Sequence, residues 1–166
     1  MTSYFLDASV LVKYYVTEPG STWIRRLLDS QDRVTARWLH LVFVAEITRV
    51  EVAAGIAVIE RTGRIRRSER QREYSRFMSE WLHRYVVIGL SSEALQEAAQ
   101  LTQRHPLKAY DAVQLAVALR QSRALALVER SLIFVSGDRT LLAAAQAEGL
   151  ATDNPFDHVA PDDTST

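Results

Sequence analysis

The 166-residue sequence predicts an α/β fold with a mainly parallel central sheet covered by helices on both faces. Two observations predict it. Short apolar runs of strand length alternate with longer segments whose apolar residues recur every three or four positions, the signature of strands joined by crossover helices. One run, LHLVFVAEI (residues 39–47), is apolar almost without a break, as in a strand buried on both faces. A third observation concerns chemistry: acidic residues stand where apolar strands pass into apolar helices.

Residues 3–7 (SYFLD) are expected as the first strand, and residues 8–16 (ASVLVKYYV) as a helix broken by Glu18-Pro19-Gly20. Residues 21–29 (STWIRRLLD) are amphipathic, with Trp23, Leu27 and Leu28 on one side. After the strand at 39–47, a helix is expected from Thr48 to Thr62, closed by Gly63. A further helix covers residues 68–85, where Tyr74, Phe77, Met78, Trp81 and Leu82 share one face. VVIGL (86–90) reads as a short strand. Ser91 and Ser92 then cap a helix that ends near His105, before Pro106. AYDAVQLAVAL (109–119) is apolar nearly all round and so belongs inside. LIFVSGD (132–138) is a strand, residues 139–148 a helix ended by Gly149, and residues 150–152 a last short strand. Residues 1–158 make a single domain; the polar tail 159–166 is expected to be disordered.

Composition narrows the function. A chain of this length buries about two-thirds of its unfolded surface. Formal net charge is zero, so any attraction to nucleic acid must be local. The absence of cysteine removes disulfides, thiolate metal sites and cysteine nucleophiles together. The start of the chain lacks the basic and apolar regions of a signal peptide, and no apolar run approaches the roughly 20 residues of a membrane span. A cytoplasmic protein is expected.

Asp7 ends the first strand and Asp138 ends LIFVSGD. Glu51 lies in the first turn of the helix after the second main strand, and Asp111 opens the buried helix. Carboxyl ends of parallel strands line the crevice where ligands bind, so four acids from distant segments can converge there. An ionised group in an apolar setting is costly unless paired or bound to metal. Apart from Lys13 and Lys108, no Lys or His is close in sequence, and a carboxylate cluster without counter-charge calls for a cation. Oxygen-only ligands favour Mg²⁺ or Mn²⁺. Simpler roles compete. TRVE (48–51) matches a capping box, and Asp138 is a good N-cap before RTLLAAAQ. The apolar flanks of Asp7 and Asp111 fit plain capping less well.

YFLDASVLVKYY, ITRVEVAAGI, LKAYDAVQLAVAL and IFVSGDRTLLAAAQAEGL resemble, in order and spacing, the four acidic motifs of PIN domains, and among these the VapC toxins of toxin–antitoxin pairs. The resemblance covers about residues 3–155 and implies a three-layer α/β/α sandwich. It implies that Asp7, Glu51, Asp111 and Asp138 bind Mg²⁺ or Mn²⁺ and that Ser9 and Ser136 support them. It further implies an endoribonuclease, a small antitoxin partner encoded next door, and a two-fold homodimer. One departure stands out: many relatives carry Ser or Thr six residues before the glutamate, where this chain has Ala45.

A carboxylate-held metal lowers the pKa of bound water and stabilises phosphoryl charge, so phosphodiester hydrolysis suits such a site. The four histidines (His40, His83, His105 and His158) are scattered and form no ligand pair. Arg64, Arg66, Arg67 and Arg70 belong to an arginine-rich stretch countered locally only by Glu69 and Glu73. It reads either as a phosphate-contacting patch for RNA or as a solvated helix face with Glu–Arg pairs. A haloacid-dehalogenase phosphatase needs a second Asp where Ser9 stands, and a P-loop enzyme needs the GK[ST] motif that is missing. A catalytically inactive PIN-like module that binds RNA or protein is the remaining alternative.

Overall fold

A computed structural model describes residues 2–164. Strands β1 (Thr2–Leu6), β2 (His40–Ala45), β3 (Val86–Ile88), β4 (Leu132–Val135) and β5 (Ala151–Asp153) pair entirely in parallel, in the order β3-β2-β1-β4-β5. The helices are α1 (Ala8–Tyr15), α2 (Ser21–Leu28), α3 (Thr48–Arg61), α4 (Arg67–Arg84), α5 (Ser92–Arg104), α6 (Ala109–Ala126) and α7 (Arg139–Ala147).

Alternation along the strands divides the core into two layers. Phe5, Phe43 and Phe134 lie side by side across β1, β2 and β4 and pack under α5, α6 and α7. Leu6, Val42, Val44 and Val135 face the opposite way, into a core built with α1 to α4. Helices therefore cover both faces, and the expected α/β/α sandwich is what forms. The sheet grows from β1 to β2 and β3 on one side, then from β1 to β4 and β5 on the other. Its direction reverses at β1, and such a reversal opens a crevice beyond the carboxyl ends of the strands.

Three local expectations change. Helix α6 continues past residue 119 to Ala126, with Leu125 buried in the core. Thr48 does not cap α3: the N-cap is Ile47, without a side-chain bond, and Thr48 is buried beneath the helix start. The tail departs from disorder over Pro161–Thr164, which form a 3-10 turn; residues 165–166 lie outside the described residues. Polarity there serves an unusual cap. Gly20 precedes α2 at φ 91°, and a Cβ on it would stand 2.7 Å from the Pro155 carbonyl oxygen, so no capping side chain fits. The buried Asp163 carboxylate supplies the cap from the far end of the chain, accepting from Gly20 N–H (3.1 Å), Thr22 N–H (2.8 Å) and the Thr22 hydroxyl (2.7 Å). No helix among the described residues is long and apolar enough to cross a membrane.

Candidate active site

Asp7 sits where β1 becomes α1. Its N–H still pairs with the Val135 carbonyl of β4 (3.2 Å), while its side chain already caps α1 by accepting from Val10 N–H (3.1 Å). The same oxygen, Oδ1, accepts from the Ser9 hydroxyl (2.7 Å), and Oδ2 accepts from the Ser136 hydroxyl (2.6 Å). Each hydroxyl in turn accepts from the loop after β4: Ser136 from Asp138 N–H (3.0 Å), Ser9 from Gly137 N–H (3.2 Å). Gly137 leaves little space, since a Cβ would lie 3.1 Å from the Phe156 ring and 3.4 Å from Ser9 Oγ. Asp138 then caps α7 through Oδ1, which accepts from Thr140 N–H (2.7 Å) and Leu141 N–H (3.0 Å). The capping role inferred for Asp138 is therefore present, and Asp7 caps as well. Capping and convergence coexist.

Glu51 and Asp111 approach from the first turns of α3 and α6. Glu51 Oε2 accepts from Gln114 Nε2 (2.6 Å), which also donates to the Thr48 hydroxyl (2.8 Å). Burial, the largest influence, raises the Asp7 carboxyl pKa above the ordinary range; hydrogen bonds from Ser136, Ser9 and Val10 oppose it, and the charge of Asp111 adds to it. Burial likewise raises Glu51, opposed by Gln114 and reinforced by Asp7 and Asp111. Asp111 is raised by burial and then by Asp138, against the relief of Lys108. Charge repulsion thus connects Asp111 to each of the other three acids, and Lys108 relieves it at Asp111.

The donor set is all carboxylate oxygen, which fits a hard divalent cation. Among the described residues, no three acidic or imidazole groups are already drawn together tightly enough to grip one ion. The four acids feel one another's charge without forming a closed coordination shell.

A family model described as PIN domain matches residues 4–145, a span that includes all four acids. The chain belongs to the PIN domain family. PIN domains are nucleases. No curated protein sequence matches the chain. Among solved structures, the chain is similar to FitAcB from Neisseria gonorrhoeae, with a TM-score of 0.62 at 19% identity over 92% of this chain and 98% of that one. It is also similar to VapBC2 from Rickettsia felis bound to a DNA fragment from their promoter, with a TM-score of 0.59 at 13% identity and the same coverage. A toxin–antitoxin complex from Klebsiella pneumoniae gives 0.56 at 18% identity over 92% of this chain and 98% of that one. At these identities the likeness is one of fold.

The arginine run of this PIN domain is less bare than its sequence suggests. Arg64 pairs with Glu18 (2.9 Å), Arg66 with Glu69 (3.3 Å) and Arg70 with Glu60, while Arg67 is exposed and has no ion-pair partner among the described residues. Glu18 and Glu60 come from outside the run, so folding supplies counter-charges that the local sequence lacks. Pairs this open to solvent at Arg64 and Arg66 are weak, while Arg70 and Glu60 are both half-buried. Two of the histidines are engaged elsewhere: His105 bonds Glu148 (2.7 Å), and His158 bonds Asp153 (2.7 Å) and stacks on Trp23.

Gln114 is the site residue that sequence reasoning missed. It is 2% exposed, and its Oε1 has no partner. The signal was present: Gln114 is the one polar side chain in AVQLAVAL and lies one helical turn beyond Asp111.

Proposed function

We propose that this PIN domain is a metal-dependent endoribonuclease and acts as the toxin of a toxin–antitoxin pair in the cytoplasm. The observation that carries this reading is Asp7: buried, bonded at both oxygens, and still destabilised by the charge of Asp111. Four mutually repelling acids around one strand end are expensive unless a cation resides among them. Asp7, Glu51, Asp111 and Asp138 would hold Mg²⁺ or Mn²⁺, which when bound lowers the pKa of water and stabilises charge on the scissile phosphate. The protein's own part is positioning. Ser9 and Ser136 lock the Asp7 carboxylate in one orientation, and Gln114 does the same for Glu51 through Oε2. In Asp138 the α7 amides occupy Oδ1, which leaves Oδ2 for the crevice.

RNA is the proposed substrate because the site has the donor set for phosphodiester hydrolysis and the family is one of nucleases. The partner we propose is a small antitoxin that presents Arg or Lys to the acids, a reading supported by the likeness in fold to the toxin–antitoxin complex from Klebsiella pneumoniae. A two-fold homodimer completes the proposal. Co-purification with the neighbouring gene product and light scattering at micromolar concentration test these two assemblies; a free monomer would refute both. The decisive experiment is cleavage of RNA by purified protein. Activity should vanish in EDTA, return with Mg²⁺ or Mn²⁺, and be lost in Asp138→Asn while the fold is kept, because Asn caps a helix about as well as Asp. Cleavage indifferent to EDTA, or a fully active Asp138→Asn protein, would overturn the reading. RNA bound but never cleaved with either metal would leave an inactive binding module.

A further inference from the structure

Lys13 on α1 is 6% exposed, a charged ammonium almost wholly inside the protein. Its Nζ donates to Glu18 Oε2 at 3.2 Å and stands 4.4 Å from the centre of the Phe156 ring. An ammonium carries three N–H donors, and Glu18 is its one hydrogen-bond acceptor among the described residues. Two donors are unspent. Burying a cation with unmet donors is costly, and here the surroundings hold it in place without satisfying it. Glu18 is anchored by donating its N–H to the Ser21 hydroxyl (2.8 Å), which donates in turn to the Lys13 carbonyl (2.6 Å). Glu18 also receives Arg64, so its charge is shared between two cations.

Lys13 faces a groove of about 470 Å³ that it shares with Ser9, Gly137 and Asp138, and whose far wall is Val58 and Ile59 of α3. The groove thus reaches the acidic site at Asp138 and has a buried cation in its lining. Carboxylates alone repel the backbone of a nucleic acid. A fixed ammonium beside them offers donors to a phosphate one step along the strand, where point-charge recognition suits lysine.

We propose that Lys13 is a substrate-binding residue that donates to a phosphate next to the one cleaved, with Glu18 and Phe156 holding its ammonium in position. This rests on the ribonuclease reading above. The test compares Glu18→Gln with Glu18→Gln/Lys13→Gln, both in an Asp7→Asn background with Mg²⁺. A single-stranded RNA oligonucleotide is the probe, titrated at several salt concentrations. Removing both charges avoids stranding either one, and thermal melting checks the fold. Glu18→Gln, whose amide oxygen can still accept from Lys13, is the reference for the pair whatever its own affinity. Adding Lys13→Gln should weaken binding roughly tenfold or more, the range for a hydrogen bond to a charged group. It should also reduce the salt slope by about 0.7, the share of one phosphate on a single strand. If the double variant does not fold, Lys13→Met and Lys13→Arg in the active protein carry the test. Met should raise KM with little change in kcat, and Arg should restore it. Equal salt slopes for the two Gln variants would make Lys13 a structural counter-ion of Glu18 and overturn the proposal. An unchanged slope with lost antitoxin co-purification would assign Lys13 to the protein partner, which also overturns it. Wild-type protein that cleaves RNA separates either failure from failure of the ribonuclease reading; wild-type protein that neither binds nor cleaves RNA ends both.

Discussion

Asp7 carries two demands that usually fall on different residues. One carboxylate oxygen caps α1 and takes the Ser9 hydroxyl, while the other is tied to Ser136 after β4. Because the folded pKa values of Asp7, Glu51 and Asp111 are raised, the native state keeps protons that the unfolded chain has released. Stability from these groups is full below the ordinary carboxylate range and falls as pH rises through the raised values. Asp7→Asn removes one of them. Measured by urea unfolding in EDTA, its stability relative to wild type should climb with pH by about 1.4 kcal/mol for each unit of raised pKa removed. A pH-independent difference would mean that Asp7 is not held against its charge. Gln114 makes a second case. Gln114→Leu removes the donor to Glu51 and to the buried Thr48 hydroxyl but also the unpartnered Oε1, so stability should fall by about 1–3 kcal/mol. Activity should drop roughly 10- to 100-fold, as for other groups that orient a metal ligand, and Mg²⁺ affinity should weaken with it. Full activity in that variant would reduce Gln114 to packing.

At the scale of elements, helix starts do most of the positioning. α1 and α7 begin on acids that also face the crevice, while α3 and α6 place Glu51 and Asp111 in their first turns. α2 differs, for its cap is borrowed from Asp163. Against burial, hydrogen bonds from Ala160 N–H, from the Thr22 hydroxyl and N–H, and from Gly20 N–H lower the Asp163 pKa, so its contribution is present above the unfolded carboxylate pKa and is lost as pH falls through the folded value. Asp163→Ala should cost about 1–2 kcal/mol at neutral pH, and Asp163→Asn less, because Asn retains an acceptor. The Ala penalty should shrink in acid. Denaturant titrations at two pH values read both effects, and an Ala penalty below a few tenths of a kcal/mol would show that α2 needs no cap from the tail.

The whole molecule brings the four acids together through strand order. Reversal of the sheet at β1 sets the ends of β1 and β4 side by side, with Asp7 and Asp138 just beyond them. A cation bound there acts on the entire folding equilibrium, since the unfolded chain has no such cluster. Mg²⁺ at a hundredfold excess over its Kd should stabilise the protein by about 2.7 kcal/mol. The gain should grow with pH, as protons cease to compete for the raised carboxyls. Calorimetry at increasing Mg²⁺ concentrations and two pH values tests this, and a melting temperature unmoved by either divalent ion would remove the metal from the crevice.

Much of this was legible in the chain because the governing forces are short-ranged. Apolar runs and periodicity mark the strands and α-helices of the described residues, though not the 3-10 helix Pro155–His158, and acids at or just inside helix starts single out Asp7, Glu51, Asp111 and Asp138 as a candidate set. Capping was readable at Asp138 and Ser91 for the same reason, since a cap bonds to amides two or three residues away. At Thr48 the same local logic misled. Its hydroxyl receives Gln114, 66 positions later, in place of an amide of its own helix. The Glu51–Gln114 bond, the Asp163 cap on α2, the pairing of Arg64 and Arg70 with distant glutamates, and the burial of Lys13 beside Phe156 are all of this second kind. Each joins residues whose separation is set by strand order and layer packing. A local pattern specifies which face of an element is apolar, but only the assembled sheet decides which polar groups end up trapped against one another.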